Sequence, residues 1–102
     1  DDISSVCASF NLEIVNKKIK NIRIAYGGMA SIPKRAKHCE KILLNTNFSK
    51  NVISKAQMSL EKDFTPIDDM RASKNYRLEI AKNLLEKCFI EIKNEKLVRL
   101  NY

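Results

Sequence analysis

The apolar side chains near the start of the chain alternate with polar ones, and this period of two is the strongest constraint on the fold. Between residues 6 and 14 every second side chain is apolar. This is the period of a β-strand that buries one face. Residues 22–26 repeat the alternation after the polar turn Asn16-Lys17-Lys18, and the second run ends at Gly27-Gly28. The sequence therefore predicts an antiparallel β-hairpin.

The apolar spacing changes to a helical period in the rest of the chain. Pro33 favours the first turn of a helix whose apolar stripe ends near Asn45. Ser49 or Asn51 is the predicted N-cap of a second helix, because the apolar residues that follow lie three or four positions apart. Ser73 is the predicted N-cap of the longest helix, which has one apolar face for about five turns.

Strands that precede helices along a chain indicate an α+β fold, here an antiparallel sheet with three helices packed on one face. Two strands alone form a marginal sheet, so we expect a third strand in sequence upstream of Asp1. Residues 95–102 show no clear pattern, and their structure is left open. We predict a single domain over residues 1–102, and the start at Asp1 rather than Met indicates a piece of a longer polypeptide.

Positive charge is concentrated in one segment. The chain has 19 Lys and Arg against 12 Asp and Glu, a net charge of +7. Residues 17–41, the basic segment, hold eight Lys and Arg against Glu40 alone, which equals the whole net charge. Such a cluster suits nucleic acid, the phosphates of a dinucleotide or an acidic partner subunit, and it is also typical of a solvated rim. No aromatic platform lies between the basic side chains, which disfavours nucleic acid.

Composition and spacing exclude several other classes. No apolar run reaches the ~18 residues that a membrane span needs, and the acidic N-terminal residues do not form a secretory signal. We therefore expect a cytoplasmic location and no membrane partner. Cys7, Cys39 and Cys88 lie more than 30 residues apart, which predicts reduced thiols rather than a metal site. His38 lies among basic residues and is predicted to be a solvated helix side chain.

The sequence contains no catalytic constellation. It has no glycine-rich nucleotide motif, no metalloprotease motif and no Cys or Ser with an available His base. The acidic pair Asp68-Asp69 lies ahead of the longest helix, where the positive end of the helix dipole favours carboxylates. We predict no catalytic residue and no metal ligand, and we interpret Gly27-Gly28 as a turn at a strand end.

Three stretches of the sequence resemble the C-terminal domain of the FAD-binding, or small, subunit of xanthine dehydrogenases, a domain of the CO dehydrogenase flavoprotein C-terminal type. They are RIAYGGMA at residues 23–30 with IPKRA at 32–36, DFTPIDDMRAS at 63–73 followed by Tyr76-Arg77, and the opening residues 1–8. The resemblance covers nearly the whole chain in the same order. It implies three or four antiparallel strands followed by three helices.

The resemblance also implies an oxidoreductase of purine metabolism. An iron–sulfur portion and an FAD-binding portion would precede this domain in the same subunit, which would pair with a large subunit that carries the molybdenum cofactor. Xanthine or hypoxanthine would be hydroxylated at molybdenum, with electrons passing through iron–sulfur clusters to FAD and then to NAD. Most FAD contacts would lie upstream, so the isolated chain would be inactive. Asp1 and Asp2 match an acidic loop near the flavin and are the predicted cofactor-binding residues.

Two alternatives stay open on the sequence alone. The first is the flavoprotein subunit of another molybdenum hydroxylase, of the CO dehydrogenase or aldehyde oxidase type. The second is a small basic binding module that uses the basic segment as its binding surface. Salt dependence separates this second alternative from a flavoprotein domain, because phosphate-driven binding weakens steeply with salt.

Overall fold

A computed structural model describes residues 6–65, 73–92 and 97–102 of the chain. Four strands and three helices lie in these ranges. In chain order they are β1 (Cys7–Val15), β2 (Lys18–Gly27), β3 (Lys34–Arg35), α1 (Lys37–Leu43), α2 (Lys50–Asp63), α3 (Lys74–Glu91) and β4 (Leu97–Asn101). The strands form one antiparallel sheet in the order β3-β2-β1-β4. The α+β fold predicted from the sequence is confirmed.

β1 and β2 form the predicted hairpin. Asn16 and Lys17 join the two strands, and their φ angles are positive, 52° and 64°. A two-residue turn with this left-handed backbone matches the right-handed twist of the strands that it connects. Leu12 lies opposite Ile22 across the hairpin, so the apolar side chains of both strands share one face.

The other edge of β1 pairs with β4, which comes from the tail of the chain. Leu12 lies opposite Val98 in this pairing. Just beyond β4, Ala8 and Tyr102 exchange two backbone hydrogen bonds, of 3.0 and 2.7 Å. The strand beside β1 therefore comes from residues 97–101, whose structure the sequence left open. A further strand upstream of Asp1 stays a prediction.

Serine side chains begin the two longer helices, as predicted. The Ser49 hydroxyl accepts a 3.4 Å hydrogen bond from the backbone N–H of Val52. The Ser73 hydroxyl accepts a 3.0 Å bond from the backbone N–H of Tyr76. Each serine satisfies one of the backbone donors that a helix leaves open in its first turn.

α1 begins later than the sequence indicated. Pro33 was expected in the first helical turn, but the chain forms β3 before the helix starts at Lys37. The backbone N–H of Ala36 donates a 2.8 Å hydrogen bond to the carbonyl oxygen of Ile24, which continues the pairing of β3 with β2. This pairing holds the segment extended and delays the helix.

The three helices cover one face of the sheet, as predicted. Along β1 the even-numbered side chains are buried, and those between them are partly or fully exposed. Tyr26 lies within the buried layer, where its ring meets those of Phe10 and Phe64 edge to face, with centroid distances of 6.2 and 5.6 Å. Leu60 and Leu85 from the helices are fully buried in the same core. Burial of this apolar surface is the main source of stability.

Candidate functional site

The predicted flavin-side residues Asp1 and Asp2 lie outside the described residues, and so does the pair Asp68-Asp69. The described residues of the two longer motifs, 23–36 and 63–77, can be placed. They meet around the end of β2, the start of α1 and the first turns of α3. Their contacts show what these motif residues do in the fold.

The turn after β2 depends on two glycines. A Cβ at Gly27 would lie 2.8 Å from Sγ of Cys7, the residue opposite it in the hairpin. Gly28 has a φ of 84°, a conformation that residues with a side chain rarely adopt. Arg77 has a buried guanidinium, which donates a 3.2 Å hydrogen bond to the carbonyl oxygen of Gly28. The interpretation of Gly27-Gly28 as a strand-end turn is confirmed, and this turn is tied to α3.

A buried carboxylate from α2 holds the start of α1. Asp63 accepts hydrogen bonds from the backbone N–H groups of His38 and Cys39, at 2.8 and 3.0 Å. The N-cap residue Ala36 offers no side-chain acceptor, so Asp63 satisfies donors that the helix leaves open. The Oδ1 atom of Asp63 also lies 2.9 Å from Nδ1 of His38. His38 is 60% exposed, as predicted, but its contact with a buried carboxylate was missed.

Glu40 joins α1 to the sheet. Its buried carboxylate accepts a 2.9 Å hydrogen bond from the backbone N–H of Ile24. It also accepts two bonds from Arg35, from Nε at 3.0 Å and from Nη2 at 2.7 Å. The hydrogen bonds to Glu40, and then its negative charge, raise the pKa of the Arg35 guanidinium. Arg35 is thus held in place at the edge of the sheet.

The thiols are free, as the sequence predicted. Cys39 and Cys88 are buried, and Cys7 is exposed. Burial raises the pKa of Cys39, and it raises the pKa of Cys88 to about 12. Both buried thiols therefore stay protonated at neutral pH and are poor nucleophiles. In the part of the chain that the structure describes, no three His, Cys, Asp or Glu side chains are placed to share a metal ion.

The sheet face that lacks helices, together with α1, carries a cluster of cations that we name the basic face. Arg23 of β2 and Arg99 of β4 lie on the two sides of Asn11 of β1. Directly opposed residues of antiparallel strands present their side chains to the same face. The cations that line this surface are Lys20, Arg23, Arg35, Lys37, Lys41 and Arg99.

The basic face overlaps the basic segment of the sequence but is not identical to it. Arg99 belongs to the face and was missed, because β4 was not predicted from the tail of the chain. Lys34 belongs to the segment, but its Nζ donates a 3.0 Å hydrogen bond to the carbonyl oxygen of Asp63 and lies 5.6 Å from the centre of the Phe64 ring. The alternation along β3 thus separates Lys34 from its neighbour Arg35.

The described part of the chain is thus an α+β fold in which buried polar groups join the helices to one another and to the sheet, and in which the open sheet face carries several cations. Residues 1–92 match the CO dehydrogenase flavoprotein C-terminal domain family, and the chain belongs to this family. The resemblance seen in the sequence is confirmed. Among the helices of the described ranges, none has the length and apolar character needed to cross a membrane.

Two curated relatives cover most of the chain. The glyceraldehyde dehydrogenase medium chain of Sulfolobus acidocaldarius is 26% identical over 91 residues, which are 89% of this chain and 32% of the relative. The putative xanthine dehydrogenase FAD-binding subunit of Escherichia coli K12 is 27% identical over 90 residues, 88% of this chain and 31% of the relative. The chain therefore spans about a third of the length of these relatives.

Solved structures show the same fold. The CO dehydrogenase of Oligotropha carboxidovorans superposes with a TM-score of 0.73 at 26% identity, over 80% of this chain and 29% of that one. Quinoline 2-oxidoreductase of Pseudomonas putida 86 superposes with a TM-score of 0.74 at 20% identity, over 84% of this chain and 30% of that one. The second similarity concerns the fold alone.

Proposed function

We propose that this chain is the C-terminal domain of the FAD-binding subunit of a molybdenum hydroxylase of the xanthine dehydrogenase type. The family match over residues 1–92 is the observation that carries the proposal. The Escherichia coli relative is an FAD-binding subunit, and a similar CO dehydrogenase is described as a copper and molybdenum enzyme. FAD-binding and iron–sulfur portions would precede the domain, and a large molybdenum-cofactor subunit would bind the assembled subunit in the cytoplasm.

The described residues suit a supporting role in such a subunit. In the proposed enzyme, FAD supplies the transfer of electrons from purine hydroxylation to NAD. The residues of this chain hold the sheet and helices together: β1 is paired along both edges, buried Glu40 joins α1 to β2, and buried Asp63 joins α1 to α2. Residues 1–5 precede β1 in the sequence. The proposal therefore places the flavin contact of this chain at its start and the remaining contacts upstream.

Asp1 and Asp2 are the proposed flavin-side residues. A carboxylate near the flavin opposes the negative charge of the reduced ring, as any like charge does. Replacing both with alanine in the full-length enzyme should therefore raise the flavin reduction potential and slow NAD reduction. Glu61→Ala on the exposed surface of α2 is the control, because it also removes a carboxylate. An unchanged flavin potential together with unchanged NAD kinetics in the double variant would remove Asp1 and Asp2 from the proposal.

The visible spectrum of the purified full-length enzyme tests the function itself. Flavin and iron–sulfur absorbance that bleaches with xanthine and drives NAD reduction is the expected result. Bleaching with an aldehyde or with carbon monoxide, but not with xanthine, would assign the subunit to another molybdenum hydroxylase. A colourless enzyme would contradict the flavoprotein proposal.

A further inference from the structure

The basic face has no part in the proposed flavin contact, and its charge is large for its size. Among the described residues that line it are six cationic side chains and two carboxylates, those of Glu13 and Glu40. Both carboxylates are already engaged, since Glu13 accepts a hydrogen bond from the side chain of Asn21 and Glu40 is buried against Arg35. The surface is therefore strongly positive and has little negative charge of its own to balance it.

Two arginines on the open face of the sheet, Arg23 of β2 and Arg99 of the edge strand β4, are available to an external anion. Arg23 and Arg99 are exposed, and neither forms an ion pair with any residue in the described ranges. Each is a direct cross-strand neighbour of Asn11, so their α-carbons lie about 10 Å apart. Two carboxylates at a similar spacing would each receive a bidentate arginine contact.

The surface also contains apolar side chains, which favours a protein over a nucleic acid as its occupant. Leu97 of β4 is 73% exposed and Leu44 after α1 is 39% exposed, and both line the basic face. Arginine with exposed apolar residues is typical of protein interfaces. Single-stranded nucleic acid is usually held on aromatic side chains, and no aromatic residue is among the described residues that line this face.

We propose that the basic face docks an acidic surface of another subunit in the parent enzyme. The partner is expected to present Asp or Glu side chains toward Arg23 and Arg99, with an apolar residue against Leu97. The inference rests on the proposed function only in assigning the partner to the same enzyme. Opposite charges on the two surfaces would speed their encounter and fix their register.

A pair of double variants with equal charge change tests the docking. Arg23→Glu with Arg99→Glu reverses the charge of two exposed arginines on the basic face. Lys55→Glu with Lys62→Glu makes the same charge change at exposed positions on α2, outside the face. In the full-length subunit we expect the first pair to weaken binding to the co-purified partner subunit at least about tenfold. The second pair should change it less than about twofold. The dissociation constant, measured by biolayer interferometry between 50 mM and 500 mM NaCl, is the readout.

Other results test the docking proposal independently of the proposed function. Equal effects of the two double variants, or purification of the subunit without any partner, would overturn the docking proposal. Tight, salt-sensitive binding of a fluorescent 20-nucleotide RNA or DNA would also overturn the proposal, if Arg23→Glu with Arg99→Glu abolishes that binding while the variant still binds the partner subunit. The neutral double variant Arg23→Gln with Arg99→Gln should lose less affinity for the partner subunit than the glutamate variant. It is the control for misfolding. An enzyme without FAD would contradict the proposed function and leave the charge dependence of assembly measurable.

Discussion

The Tyr26 hydroxyl donates a 2.7 Å hydrogen bond to the carbonyl oxygen of Ala81, and this bond joins β2 to the middle of α3. The two residues are 55 positions apart, and both are fully buried. Burial, and then the nearby Cys39, raise the pKa of Tyr26 far above its usual range. The hydroxyl therefore acts as a neutral donor at any physiological pH. The role of Tyr26 in the motif of residues 23–30 is therefore structural: it joins the sheet to α3.

Removing this hydroxyl should lower the stability of the domain without disturbing its core. Tyr26→Phe keeps the ring between Phe10 and Phe64 and removes only the donor, so we expect a loss of about 1 kcal/mol in the free energy of unfolding. Tyr76→Phe is the matched control, because Tyr76 is half exposed on α3. Urea unfolding followed by circular dichroism measures both. Equal stabilities for the two variants would contradict the role given to the Tyr26 bond.

The two glycines after β2 should respond differently to alanine. Gly28→Ala places a side chain at a φ of 84°, and we expect it to lower the free energy of unfolding by about 1–2 kcal/mol. Gly27→Ala brings a Cβ to within 2.8 Å of Cys7 Sγ, and we expect a loss of about 1 kcal/mol from crowding.

Cys7→Ala separates these two causes. In that background Gly27→Ala should regain most of the lost stability, because the crowded sulfur atom is gone. Gly28→Ala should remain destabilising, because its strain lies in the backbone. The double-mutant cycle is measured by thermal unfolding. If Cys7→Ala restored the stability of both glycine variants, or of neither, the contact with Sγ would not explain why the two variants differ.

Asp63 should contribute more to stability than Glu61, the other carboxylate of α2. Asp63→Ala leaves the backbone N–H groups of His38 and Cys39 without their acceptor, and we expect a loss of about 2–4 kcal/mol in the free energy of unfolding. Glu61→Ala removes the exposed ion pair with Lys82 and should cost much less, because water screens exposed ion pairs. Chemical denaturation compares the two. A smaller loss for Asp63→Ala than for Glu61→Ala would mean that α1 does not depend on this cap.

The parts of the fold that local chemistry determines were predictable from the sequence. Alternation in residues 6–14 and 22–26 predicted the hairpin, because one face of a strand is buried whatever lies beyond it. Ser73, and Ser49 with Asn51 as its alternative, were predicted as caps, because the hydrogen bond of a serine cap closes within three residues. These signals require no knowledge of distant contacts.

Long-range contacts determined what the sequence did not reveal. The tail of residues 97–101 forms a strand because the edge of β1 is free to pair with it, and nothing local in the tail requires this. Asp63 ended a helical pattern in the sequence, and its role as a cap becomes visible only when α2 meets α1. The basic face gained Arg99 for the same reason, since a charge count along the chain could not place it beside Arg23. Asp1 and Asp2 stay a prediction.

Alkaline pH should destabilise the fold in part through the buried thiol of Cys88. The pKa of Cys88 is raised to about 12, mainly by burial and then by the charge of Glu91, whereas a cysteine in the unfolded chain has a pKa of about 8.5. Between these values the unfolded chain loses a proton that the folded chain keeps. The contribution of Cys88 to stability is therefore fully present below pH ~8.5 and is lost as the pH rises toward about 12, by at most about 1.4 kcal/mol per pH unit.

Urea unfolding at pH 7 to 11 under reducing conditions should show a steeper loss of unfolding free energy with pH in the wild type than in Cys88→Ser. Cys7→Ser is the control for the replacement of a cysteine by serine. If Cys88→Ser and Cys7→Ser changed the pH slope equally, burial of Cys88 would not be the cause.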